Sequence, residues 1–466
     1  MIAMNRTRTP LKHGLCAIAA ALALAGCAVG PDYVKPKLDI PAGFKEDGRW
    51  KSAEPQDAMP RGDWWAVYQD PTLNGLMNTL NQQSPTIAQA EAQYREAQAQ
   101  LRQAEAGLFP SLSADASKSR GVTTPGAGAS TSYNLGLSAS WEVDLWGAVR
   151  REVEAGKAKQ QASEAQLAAI RLSSQAQLAT AYLQLVVADR QLANLRDSEK
   201  ALAESLKLTR NQFAAGIVGD DAVASAESQW NTAQAATVDK RLTRAQLEHA
   251  IAAQLGQAPA SFALPPAAAT PHLPQIPAGL PSALLERRPD VAEAERNMAA
   301  ANAQIGVAKS AFFPTLTLGA SGGYRGASFA DWVTLPNRIW SVGPSLALTL
   351  FDAGLRSAQT DQAIAAYDAS VAGYRQTVLA ALQGVEDNLS AQSLLKEESD
   401  MQTAALASAK RAETIATNQY QAGTVAYLNV LSAQNARIAA ENNLWTVVNR
   451  QYTGSVALIA ALGGHW

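Results

Sequence analysis

The 466-residue chain has two cysteines, four histidines and six methionines. Cysteine so sparse excludes a disulfide framework, and the histidines, scattered at His13, His249, His272 and His465, have no metal-ligand spacing. No nucleophile elbow and no phosphate-cradling glycine loop occurs, so the sequence does not read as an enzyme and implies no cofactor. Scarce Met without a Met/His cluster argues against a copper path. Excess positive charge is also missing. The formal charge is −2, and removal of Arg6, Arg8 and Lys12 with a leader takes it to −5, which is no nucleic-acid footprint. Beyond residue 27 no apolar run is long enough for a spanning helix, so any passage through a bilayer must use strands.

A positively charged start, the apolar run from Leu15 to Ala25 and the small residues before Cys27 form a signal peptide over residues 1–26. LAGC at 24–27 matches a lipobox, in which Cys27 becomes the acylated N-terminus of the mature chain. Ala28 rather than Asp in the next position favours sorting to an outer membrane. Cys16 would leave with the leader, and a single remaining cysteine suits acylation rather than a disulfide.

Most of the remaining chain is written twice. Residues 84–117 align with 288–321 at an offset of 204, and NQFAAGIVGDDAVASAE (211–227) aligns with NQYQAGTVAYLNVLSAQ (418–434) at an offset of 207, with eight identities. These repeats give a lipidated N-terminal and belt region at 27–83, repeat 1 at 84–256, a Pro-rich linker and belt at 257–287, repeat 2 at 288–463, and a tail at 464–466.

Each repeat predicts the same elements. An Ala-, Gln- and Glu-rich helix (84–108; 288–312) stops at a Phe-Pro pair, because proline cannot continue a helix. A β-hairpin follows, at 110–143 and 314–351, with period-two alternation of apolar and small polar residues. The strand lengths suit a tilted bilayer-spanning strand, and aromatics (Phe109, Tyr133, Trp141, Phe312, Phe313, Trp340, Phe351) sit near strand ends. Next comes a helix over 147–214 or 355–421, about 100 Å long at the α-helical rise. From Leu178 to Phe213 its apolar residues step by three and four, a coiled-coil seam rich in alanine. A glycine turn (215–219; 422–425) then leads into a return helix ending at Leu-Gly. The short helix and the return helix together nearly match the long one, so the two can stack end to end beside it.

Four strands cannot close a barrel in lipid, where every edge needs a partner. Small polar residues on the inward face favour a wide pore, so the expected assembly is a homotrimer with a 12-stranded β-barrel, four strands per chain. The fold class is mainly α with a membrane β-barrel part.

The ordered set CAVGPDY (27–33), WWAVYQDPTLNGL (64–76), the two FP turns, DLWG (144–147) against FDAG (351–354), the two glycine phrases and ALGGHW (461–466) resembles the TolC-like outer-membrane factors. The lipoprotein branch, the NodT-type efflux subunits, is the most similar. This resemblance implies a trimeric conduit whose barrel continues into a long periplasmic α-helical barrel. It implies a periplasmic adaptor and an inner-membrane pump of the resistance-nodulation-division type as partners, together with outer-membrane lipid. It places Gly216, Val218, Gly423 and Val425 at tip turns that touch the adaptor. In this family, rings of Asp often narrow the entrance; here the matching positions are Asn429 and Ser432, with Ala222 and Ser225 in the first repeat. Asp220 and Asp221 are the nearest acids, either a ring or helix-start residues, and Tyr420 is a candidate partner for a neutral lock. The expected function is a passive conduit for drugs or small molecules. Protein secretion through the same architecture, and a non-spanning periplasmic coiled-coil lipoprotein, are the alternatives.

Overall fold

The computed structural model describes residues 28–36, 45, 62–122, 128–267, 269–274, 276 and 287–464. Cys27 and His465 lie outside them. Helices are α1 (Pro71–Gln83), α2 (Pro85–Ala106), α3 (Ala148–Ala214), α4 (Asp220–Gln254), α5 (Pro289–Ser310), α6 (Leu355–Gln421) and α7 (Tyr427–Ala461). Strands are β1 (Ser111–Gly121), β2 (Ser130–Val143), β3 (Thr315–Gly326) and β4 (Arg338–Ala347). Both long helices, α3 and α6, contain 67 residues, and both return helices contain 35.

The chain divides into two compact units. One combines the N-terminal residues with Gln93–Glu164 and Glu293–Gln376, and it holds the sheet. Its four strands run antiparallel in the order β1-β2-β3-β4, leaving the outer edges of β1 and β4 unpaired among the described residues. The register sorts side chains cleanly. Leu112, Ala114 and Ala116 share a face with Leu135, Leu137, Trp141, Leu316, Leu318, Tyr324, Trp340, Val342 and Leu346. The opposite face carries Ser113, Asp115, Asn134, Ser138, Ser321 and Ser341. On that face Ser113 and Ser138 hydrogen-bond at 2.8 Å, and Asn134 donates to Asp115 at 2.7 Å. Among the described residues nothing covers the apolar face: Leu112, Leu137, Trp340, Val342 and Leu346 are all well exposed.

The short helices end two residues earlier than expected, at Ala106 and Ser310, and the largest boundary difference is in the second hairpin. The second hairpin was expected to run to Phe351, but β4 ends at Ala347, and Leu348 and Leu350 lie outside the strand. Its pairing partner β3 begins only at Thr315, after Pro314, so residues 348–350 have no ladder to join among the described residues.

The other unit combines residues 39–92, 165–292 and 377–466 and contains the main apolar core. Helix α1 was not foreseen, although its start signal is plain: the Asp70 carboxylate accepts from the Thr72 and Leu73 amides, and proline follows at the first helical position. Leu73, Leu76, Met77 and Leu80 of α1 are buried with Trp64, Trp65, Tyr68, Leu178, Leu183 and Ile459. The seam expected along α3 is buried from Leu178 through Thr209, with Glu199 half-exposed and Phe213, at its end, exposed.

The short and return helices do stack. A Cβ on Gly256, at the end of α4, would come within 2.9 Å of the Gln83 carbonyl oxygen and 3.0 Å of Pro85, at the start of α2. Gly463, at the end of α7, stands in the same relation to the Arg287 carbonyl before α5, at 3.2 Å.

The described part of the Pro-rich segment between the repeats, up to residue 274, is pinned at Leu264, Ala267, Pro271 and His272. Arg244 pairs with Asp189 at 2.6 Å and with Glu248 at 2.9 Å, and donates to the Leu264 carbonyl at 2.7 Å. Glu248 and Asp189 accept in turn from the Leu264 and Ala267 amides. Farther along, the His272 amide donates to the Tyr68 carbonyl at 3.1 Å, and Tyr452 donates its hydroxyl to the Pro271 carbonyl.

Candidate functional site

The repeated glycine phrases form two turns of the same construction. After α3, the Gly216 amide donates to the Phe213 carbonyl and the Ile217 amide to the Gln212 carbonyl, both at 2.9 Å. After α6, Gly423 donates to Tyr420 and Thr424 to Gln419, again at 2.9 Å. These are Schellman closures, which satisfy the last helical carbonyls and need a left-handed residue after the cap. Gly216 and Gly423 supply it, at φ 70° and 71°. A Cβ at either position would meet nothing within 4 Å, so conformation alone, not crowding, calls for glycine there.

Small apolar clusters hold each turn. Leu206, Val223 and Ala226 bury together beside Trp230 below the first turn. Tyr427, Val430 and Leu431 do so with Ala416 and Tyr420 below the second, where the Tyr420 and Tyr427 rings lie 5.0 Å apart. Ion pairs tie each return helix to its long helix: Arg210 to Glu227 at 2.6 Å, and Arg437 to Glu413 at 2.7 Å. The two turns are joined by one hydrogen bond, from the Gln212 side-chain amide to the Tyr420 hydroxyl. Burial, with Tyr420 alongside, pushes the Tyr427 phenol up to about 12.

The remaining residues singled out in the sequence fall around this pair. Asp220 and Asp221 form the exposed first turn of α4, behind an N-cap at Gly219. There they complement the helix dipole. Asn429 and Ser432 are exposed on the first turns of α7, and Val218 and Val425 are half-buried in the turns themselves. Tyr420 finds its hydrogen-bond partner in Gln212, a residue that sequence reasoning passed over although it is the second residue of the repeated phrase. Next to the turns, Phe213, Ile217 and Leu428 are exposed apolar residues.

The sheet is the second functional element. Rings mark both ends of its strands. At the helix end Trp146 stacks on Phe313 at 4.7 Å and donates to the Pro314 carbonyl at 2.8 Å, and Trp141 donates to the Leu108 carbonyl at 3.0 Å. At the far end Tyr133, Phe329 and Trp332 form a cluster with centroids 5.7–5.9 Å apart. The segment that follows Cys27 is strapped to the helix end. Val29 donates to the Trp146 carbonyl at 2.9 Å, the buried Arg151 reaches Asp32 at 2.8 Å, and Tyr33 donates to Glu295 at 2.7 Å.

The family model of the outer membrane efflux proteins matches residues 76–257 and 280–464. TtgC of Pseudomonas putida, a probable efflux pump outer membrane protein, is 30% identical over 457 residues, covering 96% of this chain and 94% of its own. The cation efflux system protein CusC of Escherichia coli is 28% identical over 454 residues, covering 96% and 97%. Among solved structures, the outer-membrane channel OprN matches with a TM-score of 0.87 at 30% identity, covering 94% of this chain and all of that one. Its mainly helical build with a four-stranded sheet is that of these channels. The chain belongs to the outer membrane efflux protein family, as an outer-membrane channel subunit of an efflux pump.

Proposed function

We propose that the chain acts as a homotrimer, a passive conduit for drugs or other small molecules delivered by an inner-membrane pump of the resistance-nodulation-division type. The observation that carries this reading is the sheet: one apolar face left uncovered, one serine- and glycine-rich face, and two unpaired edges. In lipid such edges must pair, and β1 of one copy against β4 of the next closes twelve strands from three copies. The polar face then lines a wet pore and the apolar face meets lipid.

A periplasmic adaptor seats on the tip turns, where Phe213, Ile217 and Leu428 offer exposed apolar contacts around Gly216 and Gly423. With Asn429 and Ser432 on the first turns of α7, the closed entrance is held by packing and neutral hydrogen bonds rather than by a cation-binding carboxylate ring. Acylation of Cys27 is supported by the strap at residues 28–33, which holds the following residues at the helix end of the sheet, where an attached acyl chain meets the inner leaflet. The test is a deletion strain scored across a drug panel and complemented with the wild type or with Cys27→Ser. Restored resistance supports the efflux role. No change in susceptibility to any compound, with accumulation of an unexported protein, supports secretion instead.

A further inference from the structure

The apolar face of the sheet is not filled evenly. In its middle row Ala114, Leu137, Gly322 and Trp340 are register neighbours, and a groove of about 870 Å³ opens over Gly322. Leu135 and Leu137 wall one side, Trp340 the other, and Tyr324 and Arg338 stand at the end toward the hairpin turns. Two adjacent glycines behave differently here. A Cβ at Gly323 would lie 2.1 Å from the Leu135 carbonyl, so the fold requires glycine at that position. At Gly322 a Cβ would meet nothing within 4 Å. Packing among the described residues gives no reason for the missing side chain, and its absence is what keeps the groove open.

Three cations stand at the same end of the same face. Lys118 pairs in register with Tyr133 and lies over its ring at 5.4 Å, Arg120 pairs with Thr131, and Arg338 pairs with Tyr324. None makes an ion pair among the described residues. From Pro110 to Lys118 a tilted strand climbs about 20 Å through the bilayer, so these cations sit toward the outer boundary of a bilayer whose inner boundary is at the Phe-Pro turns. A lipid-facing cation is costly at mid-depth and nearly free at the interface, and the Tyr133, Phe329 and Trp332 rings mark that same interface. Lys118 and Arg338 are three strand spacings apart across the sheet and two residues apart along it, about 16 Å, which suits a headgroup with two separated phosphates better than one with a single phosphate.

We infer that this groove binds a phosphate-bearing lipid of the outer leaflet, with one acyl chain over Gly322 beside Trp340 and the headgroup phosphates on Arg338 and Lys118. The inference rests on the membrane-barrel reading of the sheet. Native mass spectrometry of the full-length protein in detergent, titrated with lipid A and with its dephosphorylated form, tests it. The wild type should retain lipid A about tenfold or more better than the dephosphorylated form. The double variant Lys118→Ala/Arg338→Ala should lose that preference. Gly322→Leu, which fills the groove without altering charge, should weaken retention of both lipids. Equal retention of the two lipids by the wild type, or unchanged retention by both variants, overturns the inference. Displacement of lipid A by inorganic phosphate overturns it in favour of a free-anion site. Insertion into phospholipid vesicles, measured on the same preparations, separates the two levels. A wild type that fails to insert overturns the membrane reading as well, whereas normal insertion without phosphate preference overturns this inference alone.

Discussion

Gln212 of the first glycine phrase donates its side-chain amide to the Tyr420 hydroxyl of the second, so the two tips of one chain stand side by side. The duplicated phrase is thus more than a pair of equivalent turns. It also carries the residues that bind one turn to the other.

Removing the hydroxyl with Tyr420→Phe should loosen that join while keeping the ring contact with Tyr427. The lost bond is worth about 1 kcal/mol. Hydrogen exchange should quicken in both 211–218 and 418–425, although only the second contains the substitution. Faster exchange confined to 418–425 would mean that the turns are not coupled.

The glycines separate into two mechanical classes. Gly423→Val forces a left-handed backbone on a branched residue in open space and should cost about 1–2 kcal/mol, sparing folding while impairing efflux. Gly256→Ala drives a methyl group into the Gln83 carbonyl and Pro85, so its thermal midpoint should fall further than that of Gly423→Ala. Equal shifts for the two alanine variants would contradict the end-to-end stacking of α4 on α2.

Arg244 holds two carboxylates and a carbonyl of the inter-repeat segment, and Asp189 is only 9% exposed. Arg244→Met leaves a buried carboxylate uncompensated and should destabilise the protein by about 3–5 kcal/mol. Much of that loss should return in Arg244→Met/Asp189→Leu. A single variant indistinguishable from wild type in denaturant midpoint would show that the segment is held by packing alone.

Alkaline pH should act on the second tip. Tyr427 is raised from 10.0 to about 12 by burial first and by Tyr420 second, so the folded state holds the phenolic proton more tightly than the unfolded state. Its contribution is complete below pH 10 and is lost as pH climbs toward about 12. Tyr427→Phe should flatten that part of the stability curve. An unchanged slope between those pH values would place the titration elsewhere.

The legible parts of the fold were those with a strong period. The α3 seam from Leu178, the alternation in β2 and the Phe-Pro stops after α2 and α5 each follow from local chemistry. Helix α1 carried a clear Asp70-Pro71 start but sits in a short tract with no repeat partner, and it went unread. The end of β4 depends on where Pro314 lets β3 begin, a fact of pairing that a single strand does not carry. The Gln212–Tyr420 bond and the Asp189–Arg244–Glu248 cluster join residues far apart in sequence, so no spacing rule reveals them. Gly216 and Gly423 were legible because a Schellman closure is local.

Closure of the sheet between copies is the central claim, and disulfide trapping tests it most directly. Ser113 on β1 and Ser341, Gly343 and Ser345 on β4 lie on the same face, and β1 and β4 are not neighbours within the chain. Ser113→Cys combined in turn with Ser341→Cys, Gly343→Cys or Ser345→Cys should give, for at least one pair, a reducible covalent trimer on a denaturing gel. Monomers throughout the series, under conditions in which the cysteines are accessible and oxidised, would contradict barrel closure by three copies.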